Sequence, residues 1–389
     1  MSEIKVNSIK GVGASAAAIT VNNTDGTCTA NITNKPNRNL IINGAVTVQQ
    51  RMTALTSGGQ NLTGVKTVDR FGLYFSGTDN SPTQIPVDVA AGTTPYTLGF
   101  RRAFKIINGN QTSGAGADDY IYFGYKIEAQ DIANSGWNYT STSSYITLSF
   151  WIKSSVAQNF NGHLTSQDGT AQNYPFQTGS LSADTWTKVT KTISGNSNLT
   201  FNNDNGFGLF IVIAAFNGTN RTGTVTNDAW AAYASGSTTN DDTSTWYTTD
   251  DATLEITGLQ LEVGSVATDF EHRSFDEMLQ LCFRYCQAYD AVDGQYTRFA
   301  FASASDSSNL RIIFPLQREM RAKPSAAFTG SFECPGAGGF NINNVIVESN
   351  TGSRKTICLQ QGSLSITAYQ AYQFNASSTS ALITFTSEL

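Results

Sequence analysis

Six aromatic residues stand in segments otherwise made of Gly, Ser, Thr, Asn and Asp: Trp137 and Tyr139, Trp230 and Tyr233, Trp246 and Tyr247. A flat aromatic face stacks on the C–H face of a sugar ring, and neighbouring amides and hydroxyls bond its hydroxyl groups. That chemistry makes these six the candidate glycan-binding residues. The competing reading has Trp230 and Trp246 folded back over the long 217–252 loop, because tryptophan is seldom left exposed. Trp151 and Trp186 fall in strand patterns and read as packing residues. Three acidic pairs, Asp118-Asp119, Asp241-Asp242 and Asp250-Asp251, carry carboxylates that would suit a glycosidase or a structural Ca²⁺. Each lies in Gly/Thr/Asn-rich sequence, where Asp is the ordinary turn former. The sequence has no Gly-x-Ser-x-Gly, HExxH, P-loop or Gly-x-Gly-x-x-Gly motif, and no short β-helix repeat. The expectation is a binding protein rather than an enzyme, with no cofactor and no metal beyond that structural Ca²⁺.

Composition sets the bounds. The 389 residues suffice for two or three domains, and only 14% of them are charged. A surface rich in Thr, Ser, Asn and Gly suits strands and turns better than helices. A net charge of −6, with no basic block, argues against a nucleic-acid partner. No stretch reaches the roughly 18 apolar residues that membrane insertion needs. The Val12–Val21 stretch lacks Leu and does not read as a signal peptide. Five cysteines without a CxxC pair, and two histidines (His163 and His272), predict neither a disulfide framework nor a zinc centre.

The elements that must position these residues read as all-β. Residues 1–38 hold short β-like pieces between Gly- and Asn-rich turns. They cannot bury a core alone, so they read as an extended anchor that orders by docking, with Ile4, Val6, Ile9, Ile19 and Val21 as its apolar contacts. Residues 39–273 show the strand-and-turn spacing of a jelly-roll β-sandwich. Expected strands include 40–42, 46–51, 70–75, 99–107, 120–127, 145–153, 185–193, 208–215 and 253–263, with loops at 76–98, 108–119, 154–184 and 217–252. Tyr145–Ser154 alternates cleanly, and Phe207–Ala215 reads as buried on both faces. Leu254–Val263 alternates except at Thr257-Gly258, where a bulge restores the phase.

A capping box, Ser274 with Glu277, opens a helix expected over 274–289. Its Phe275, Met278, Cys282, Tyr285 and Tyr289 repeat at 3, 4, 3 and 4, the seam of a trimer neck; the alternative is a helix lying on the neighbouring sheet. Residues 290–389 return to strand patterns and form a smaller C-terminal β-sandwich, read as the distal tip.

Several segments, in order, resemble tail-fibre proteins of marine bacteriophages: MSEIKVNSIK, NLIINGAVTVQQR, DRFGLYFSG, YKIEAQDIAN, YITLSFWIKSS, WTKVTKTISG, LEITGLQLEVGSVATDFE, LCFRYCQAY and FPLQREMRAKP. The segment at Leu254–Glu271 is similar to the closing strand of the carbohydrate-binding-module-like jelly roll of those proteins. The resemblance implies a homotrimeric virion fibre that mediates adsorption. Its amino-terminal segment would be held by other tail or portal-proximal proteins, and its distal part would contact host surface polysaccharide. It implies no catalytic residues, and the chain lacks the extended shaft of long fibres. The rival readings are a structural virion protein that binds no sugar and a secreted carbohydrate-binding module.

Overall fold

The computed structural model describes residues 6–13, 18–21, 24, 28–30, 36–51, 63–335, 346–347 and 352–389. Period-two alternation builds the first sandwich. In Tyr145–Ser154 the side chains of Ile146, Leu148, Phe150 and Ile152 all point into the core. Two antiparallel sheets enclose that core. One has five strands in the order Thr187–Ser194, Tyr145–Ser154, Thr253–Val263, Arg102–Ile107, Thr83–Asp88. The other has seven, in the order Ala231–Ala232, Gln172–Ser180, Asn159–Ser166, Phe207–Asn217, Tyr120–Glu128, Gly72–Ser76, Gly64–Val65. The expected bulge in Thr253–Val263 is present: its register against Tyr145–Ser154 shifts between Thr257 and Gln260, and Gly258 adopts φ +63°. A side chain at Gly258 would meet the Phe100 ring.

Three expectations are corrected. The 154–184 loop contains two strands, Asn159–Ser166 and Gln172–Ser180. Their polar outward residues hid the pattern, because those residues are buried beneath the 217–242 loop: Asn161 Nδ2 donates to Asn240 O (2.9 Å) and Asn173 Nδ2 to Thr238 O (2.7 Å). The 76–98 loop holds the edge strand Thr83–Asp88. Conversely, 40–42 and 46–51 are not strands. Buried Asn43 knots them into turns by accepting from Thr47 N and Val48 N (both 2.9 Å) and donating to Val48 O and Asp69 O. Asn43 and Val46 take left-handed φ values of 66° and 58°.

The helix is shorter than its seam predicts. It spans Phe275–Cys282, with Ser274 Oγ accepting from Glu277 N at 3.2 Å. The chain then turns into the strand Cys286–Asp290, so Tyr285 and Tyr289 are not helical. Met278 and Cys282 pack against Val48, Tyr285 is buried, and Tyr289 lies half-buried against Phe314 and Phe385. Of the five residues assigned to a trimer neck, only Phe275 is largely exposed. The helix therefore lies on its own chain, and the neck assignment is withdrawn. Cys282 and Cys286 are buried free thiols.

The second sandwich pairs a three-stranded sheet (Cys286–Asp290, Leu382–Thr386, Ser325–Thr329) with a sheet built around Ala371–Ala376, Arg298–Ala304, Leu310–Pro315 and Thr356–Gln361. Residues 364–367 form no strand but a loop, in which Leu364 N donates to Ser308 O and Ile366 N to Ser307 O. At the amino-terminal end, Ser8–Ile9, Ile19–Val21 and Cys28–Ala30 form a small antiparallel sheet. Val6 and Ile9 are exposed there, Ile19 and Val21 are partly covered, and Ile4 lies outside the described residues.

Charges join the two sandwiches. Glu388 pairs with Arg70 and with Arg51 (2.7 Å), and Arg51 also meets Asp69 (2.5 Å). The Arg70 guanidinium lies 3.5 Å from the Tyr285 ring centroid. Arg284 and the Tyr285 hydroxyl both donate to Glu128, and Arg321 donates to the Ser387 and Glu388 carbonyls. Burial alone would push the Glu388 carboxyl up, but Arg70 and Arg51 more than offset it and hold it below the usual range. Removing one member of such a buried network leaves its partners uncompensated. E388A is expected to lower stability by about 3 kcal/mol at pH 7, measured by urea denaturation. Because the folded pKa is depressed, this contribution is present above the ordinary glutamate pKa and is lost as pH falls through the folded value. Wild type and E388A should therefore converge in acid.

Candidate functional site

The outward side of the seven-stranded sheet carries the one continuous aromatic surface that its strands make among the described residues. Register sets it up. Tyr74 stands opposite Tyr122, and Lys126 opposite Phe210, all projecting away from the core. Tyr74, Tyr122 and Tyr120 form a stacked row across two strands, with ring centroids 5.5 and 5.2 Å apart and planes within 25°. Phe210 meets Tyr74 at 5.9 Å and Phe207 at 5.5 Å, extending the ribbon. Two glycines make this possible. Gly72 and Gly124 face each other in the register, and a Cβ on Gly124 would sit 2.7 Å from both the Phe210 and Tyr74 rings. Any larger residue would lift the aromatics off the sheet.

Lys126 sits within the ribbon, its ammonium 5.0 Å from the Phe207 ring centroid and donating to Leu389 O at 2.8 Å. At the other end the Arg221 guanidinium lies 3.8 Å from the Tyr120 centroid. The 217–242 loop forms a wall over the neighbouring half of the sheet. Between wall and ribbon is a hollow of about 70 Å³ lined by Tyr122, His163, Phe210, Asn217, Arg221 and Tyr233, among others. His163 Nδ1 and the Asn217 amide nitrogen are buried there without a hydrogen-bond partner in the protein. Buried polar atoms of native proteins are nearly all partnered by protein or ordered water, so the two orphans leave unspent hydrogen-bonding capacity beside the hollow. Burial, reinforced by the Arg221 charge, pushes His163 down to about 4, so the ring is neutral at pH 7. Burial pushes Tyr74 up to about 12 and raises Tyr122 as well. The surface thus offers neutral aromatic faces, hydroxyls and amides with a cation at each end, which suits the stacking and hydrogen bonding of a polar ring.

The six aromatics chosen from sequence divide. Trp246 and Tyr247 are core residues, and their assignment to sugar contact is corrected. Trp246 Nε1 donates to Thr253 O (3.0 Å), while Tyr247 packs on Phe216 and donates to Asp119 (2.9 Å). Trp137 is buried beside Phe201, and Tyr139 packs edge-on to the same ring, so this pair also staples a loop to the core. Trp230 is half-buried: Nε1 donates to Ser194 O (2.8 Å), and one side lines a separate hollow of about 420 Å³. Tyr233 is 42% exposed and lines the hollow beside Arg221. A loop tryptophan is large enough to act as the loop's own core, which is why four of six went inward. The ribbon residues Tyr74, Tyr120, Tyr122, Phe207 and Phe210 were missed. The signal available was the i, i+2 spacing of Tyr120 and Tyr122, on the strand face opposite Ile121 and Phe123.

Two of the three acidic pairs are tied up within the loops, and Asp250-Asp251 is exposed in the turn before Thr253. Asp118 accepts from Asn220, Asp241 from Thr222, and Asp242 from Asn161 and from Asn217 N. Among the described residues no group of three His, Cys, Asp or Glu side chains gathers as a metal cluster. Asp242 is nearly enclosed and has no cationic partner, so burial pushes it up to about 7. A carboxyl whose folded pKa is raised is destabilising when ionised. Wild type should therefore gain stability relative to D242N as pH falls from 8 to 5. Urea titrations at several pH values check this; a pH-independent difference would contradict the assignment.

No protein-family model and no curated protein matches the chain. Among solved structures, it is similar to the enzymatically active domain of bacteriophage CBA120 tailspike protein 4, with 11% identity, 59% of this chain and 22% of that one covered, and a TM-score of 0.30. It is also similar to the family 11 carbohydrate-binding module of Clostridium thermocellum in complex with a mixed-linked tetrasaccharide (11% identity, 56% and 97% covered, TM-score 0.25). A third is the CBM22-1–CBM22-2 tandem domain of Paenibacillus barcinonensis Xyn10C (9% identity, 82% and 94% covered, TM-score 0.26). The chain thus spans about a fifth of the tailspike chain it matches. Likeness at this level decides nothing about what this chain binds; the sheet-face geometry carries that argument.

Proposed function

We propose that this chain is a non-catalytic glycan-binding protein whose binding surface is the outer face of the seven-stranded sheet. The observation that carries the reading is the Tyr120–Tyr122–Tyr74 row with Phe210 set edge-on to it, held close to the sheet by Gly72 and Gly124 beside two unpartnered buried polar groups. Aromatic faces give a sugar chain a place to lie, and His163 and Asn217 give it polar partners.

The setting is a virion fibre that adsorbs to host surface polysaccharide as a homotrimer. Two features favour that setting over a secreted module. The small amino-terminal sheet, with Val6 and Ile9 exposed, suits docking on another virion protein. The outward face of the second sandwich exposes Phe301 (75%) and Ile313 (57%) on adjacent strands, an apolar surface available to other copies. A single sugar site binds weakly, on the order of millimolar, and several linked copies raise the avidity by orders of magnitude.

Y122A is expected to weaken polysaccharide binding about tenfold, the equivalent of one aromatic contact of about 1.4 kcal/mol. W186A, on the opposite sheet, should leave binding unchanged. Affinity electrophoresis on host-derived polysaccharide reads both; equal retention of Y122A and wild type would overturn the sheet-face assignment. Sedimentation equilibrium should give three copies for the wild type and fewer for F301S/I313S.

A further inference from the structure

We propose that the hollow at the end of the aromatic ribbon is an anion-selecting subsite, so that the glycan is acidic and presents a carboxylate or sulfate ester to Arg221, His163 and Asn217. The proposal rests on the sheet-face reading and specifies its ligand class.

Arg221 is the first reason. Its guanidinium is laid over the Tyr120 ring at 3.8 Å, and among the described residues no carboxylate pairs with it. Stacking through its plane leaves the N–H edge of the fork free, the edge that binds planar oxyanions. The surrounding carboxylates are accounted for. Asp118 accepts from Asn220, Asp119 from Tyr247 and Gly116 N, Asp241 from Thr222, and Asp242 from Asn161 and Asn217 N.

Size is the second reason. The hollow leaves about 70 Å³ of space, room for several waters or one small polar group. A carboxylate or sulfate group fits such a space. The sugar ring would lie outside, where Tyr122 and Phe210 form the floor.

The third reason is the kind of atom left unpartnered. The Asn217 amide nitrogen is a donor, and His163 Nδ1 is a donor in one neutral tautomer. His163 is 7% exposed and Asn217 4%, and no acidic side chain lines the hollow. A buried site with a free amide donor, one guanidinium and no carboxylate is complementary to an oxyanion and poorly suited to a cation.

The test uses the full chain with polygalacturonate, dextran sulfate and neutral dextran, each titrated by isothermal calorimetry at two salt concentrations. Wild type is expected to bind at least one anionic polymer tenfold or more tighter than neutral dextran, less tightly at high salt. The R221Q variant should lose about tenfold on that anionic polymer and clearly less on dextran. R221K keeps the charge without the fork and should fall between them; thermal melts verify that both variants are folded. Carboxylate and sulfate are distinguished by which polymer responds to R221Q. Anionic binding unaffected by R221Q overturns the proposal, as does dextran binding as tight as either polyanion. If neutral glycan binds and is lost in Y122A, the sheet-face reading stands and only the anion selection fails. If no polymer binds, both fail.

Discussion

The junction between the two sandwiches hangs on one buried ionic knot. Glu388 is shared by Arg51 and Arg70, Arg51 is shared with Asp69, and the side chains of Arg51, Arg70 and Asp69 are 7% exposed or less. Charges removed from water to this degree are tolerated only when each has a partner, so the knot requires all of its members at once. Its members come from the turn after Asn43, from the start of the sheet, and from the segment that follows Leu382–Thr386. Asn43 is therefore more than a local turn former: it fixes the path that brings Arg51 beside Asp69. The second sandwich cannot swing away without breaking this set together with the Glu128–Arg284 pair. Lys126 ties the same Ser387–Leu389 segment to the aromatic ribbon, so the base of the candidate binding face is built on the junction between the sandwiches.

The sequence showed much of this where a physical rule was strong. Alternation in Tyr145–Ser154 and the bulge at Thr257-Gly258 were legible because one face is wholly apolar and a glycine marks the slip. Ser274 announced the helix start. The helix end was not legible: Tyr285 and Tyr289 continue an a/d spacing, yet Cys286–Asp290 pairs with Leu382–Thr386, nearly a hundred residues away. Long-range pairing overrode a local period. The strands at 159–166 and 172–180 were hidden for a related reason, since both their faces are covered, one by the core and one by a loop whose backbone bonds to Asn161 and Asn173.

The candidate site shows the same contrast. Of the aromatics in polar loops, Tyr233 alone lines the hollow, Trp230 borders a separate one, and Trp246, Tyr247, Trp137 and Tyr139 pack their loops onto the sandwich. The surface aromatics lay within strands, and their exposure follows from register: Tyr74 opposite Tyr122, Gly72 opposite Gly124. Pairing across distant strands cannot be read from one strand alone. Once the register is known, the opposed glycines and the rings leaning over them explain each other, and the loop that buries Asn161 and Asn173 becomes the wall of a groove.

The account stands on the claim that this sheet face is where glycan lies. Hydrogen–deuterium exchange of the full chain, with and without saturating polysaccharide, addresses it most directly. The account predicts added protection in Tyr120–Glu128, Phe207–Asn217 and the 218–242 loop, and none in Thr187–Ser194 of the opposite sheet. Protection confined to the five-stranded sheet or to the second sandwich would contradict it.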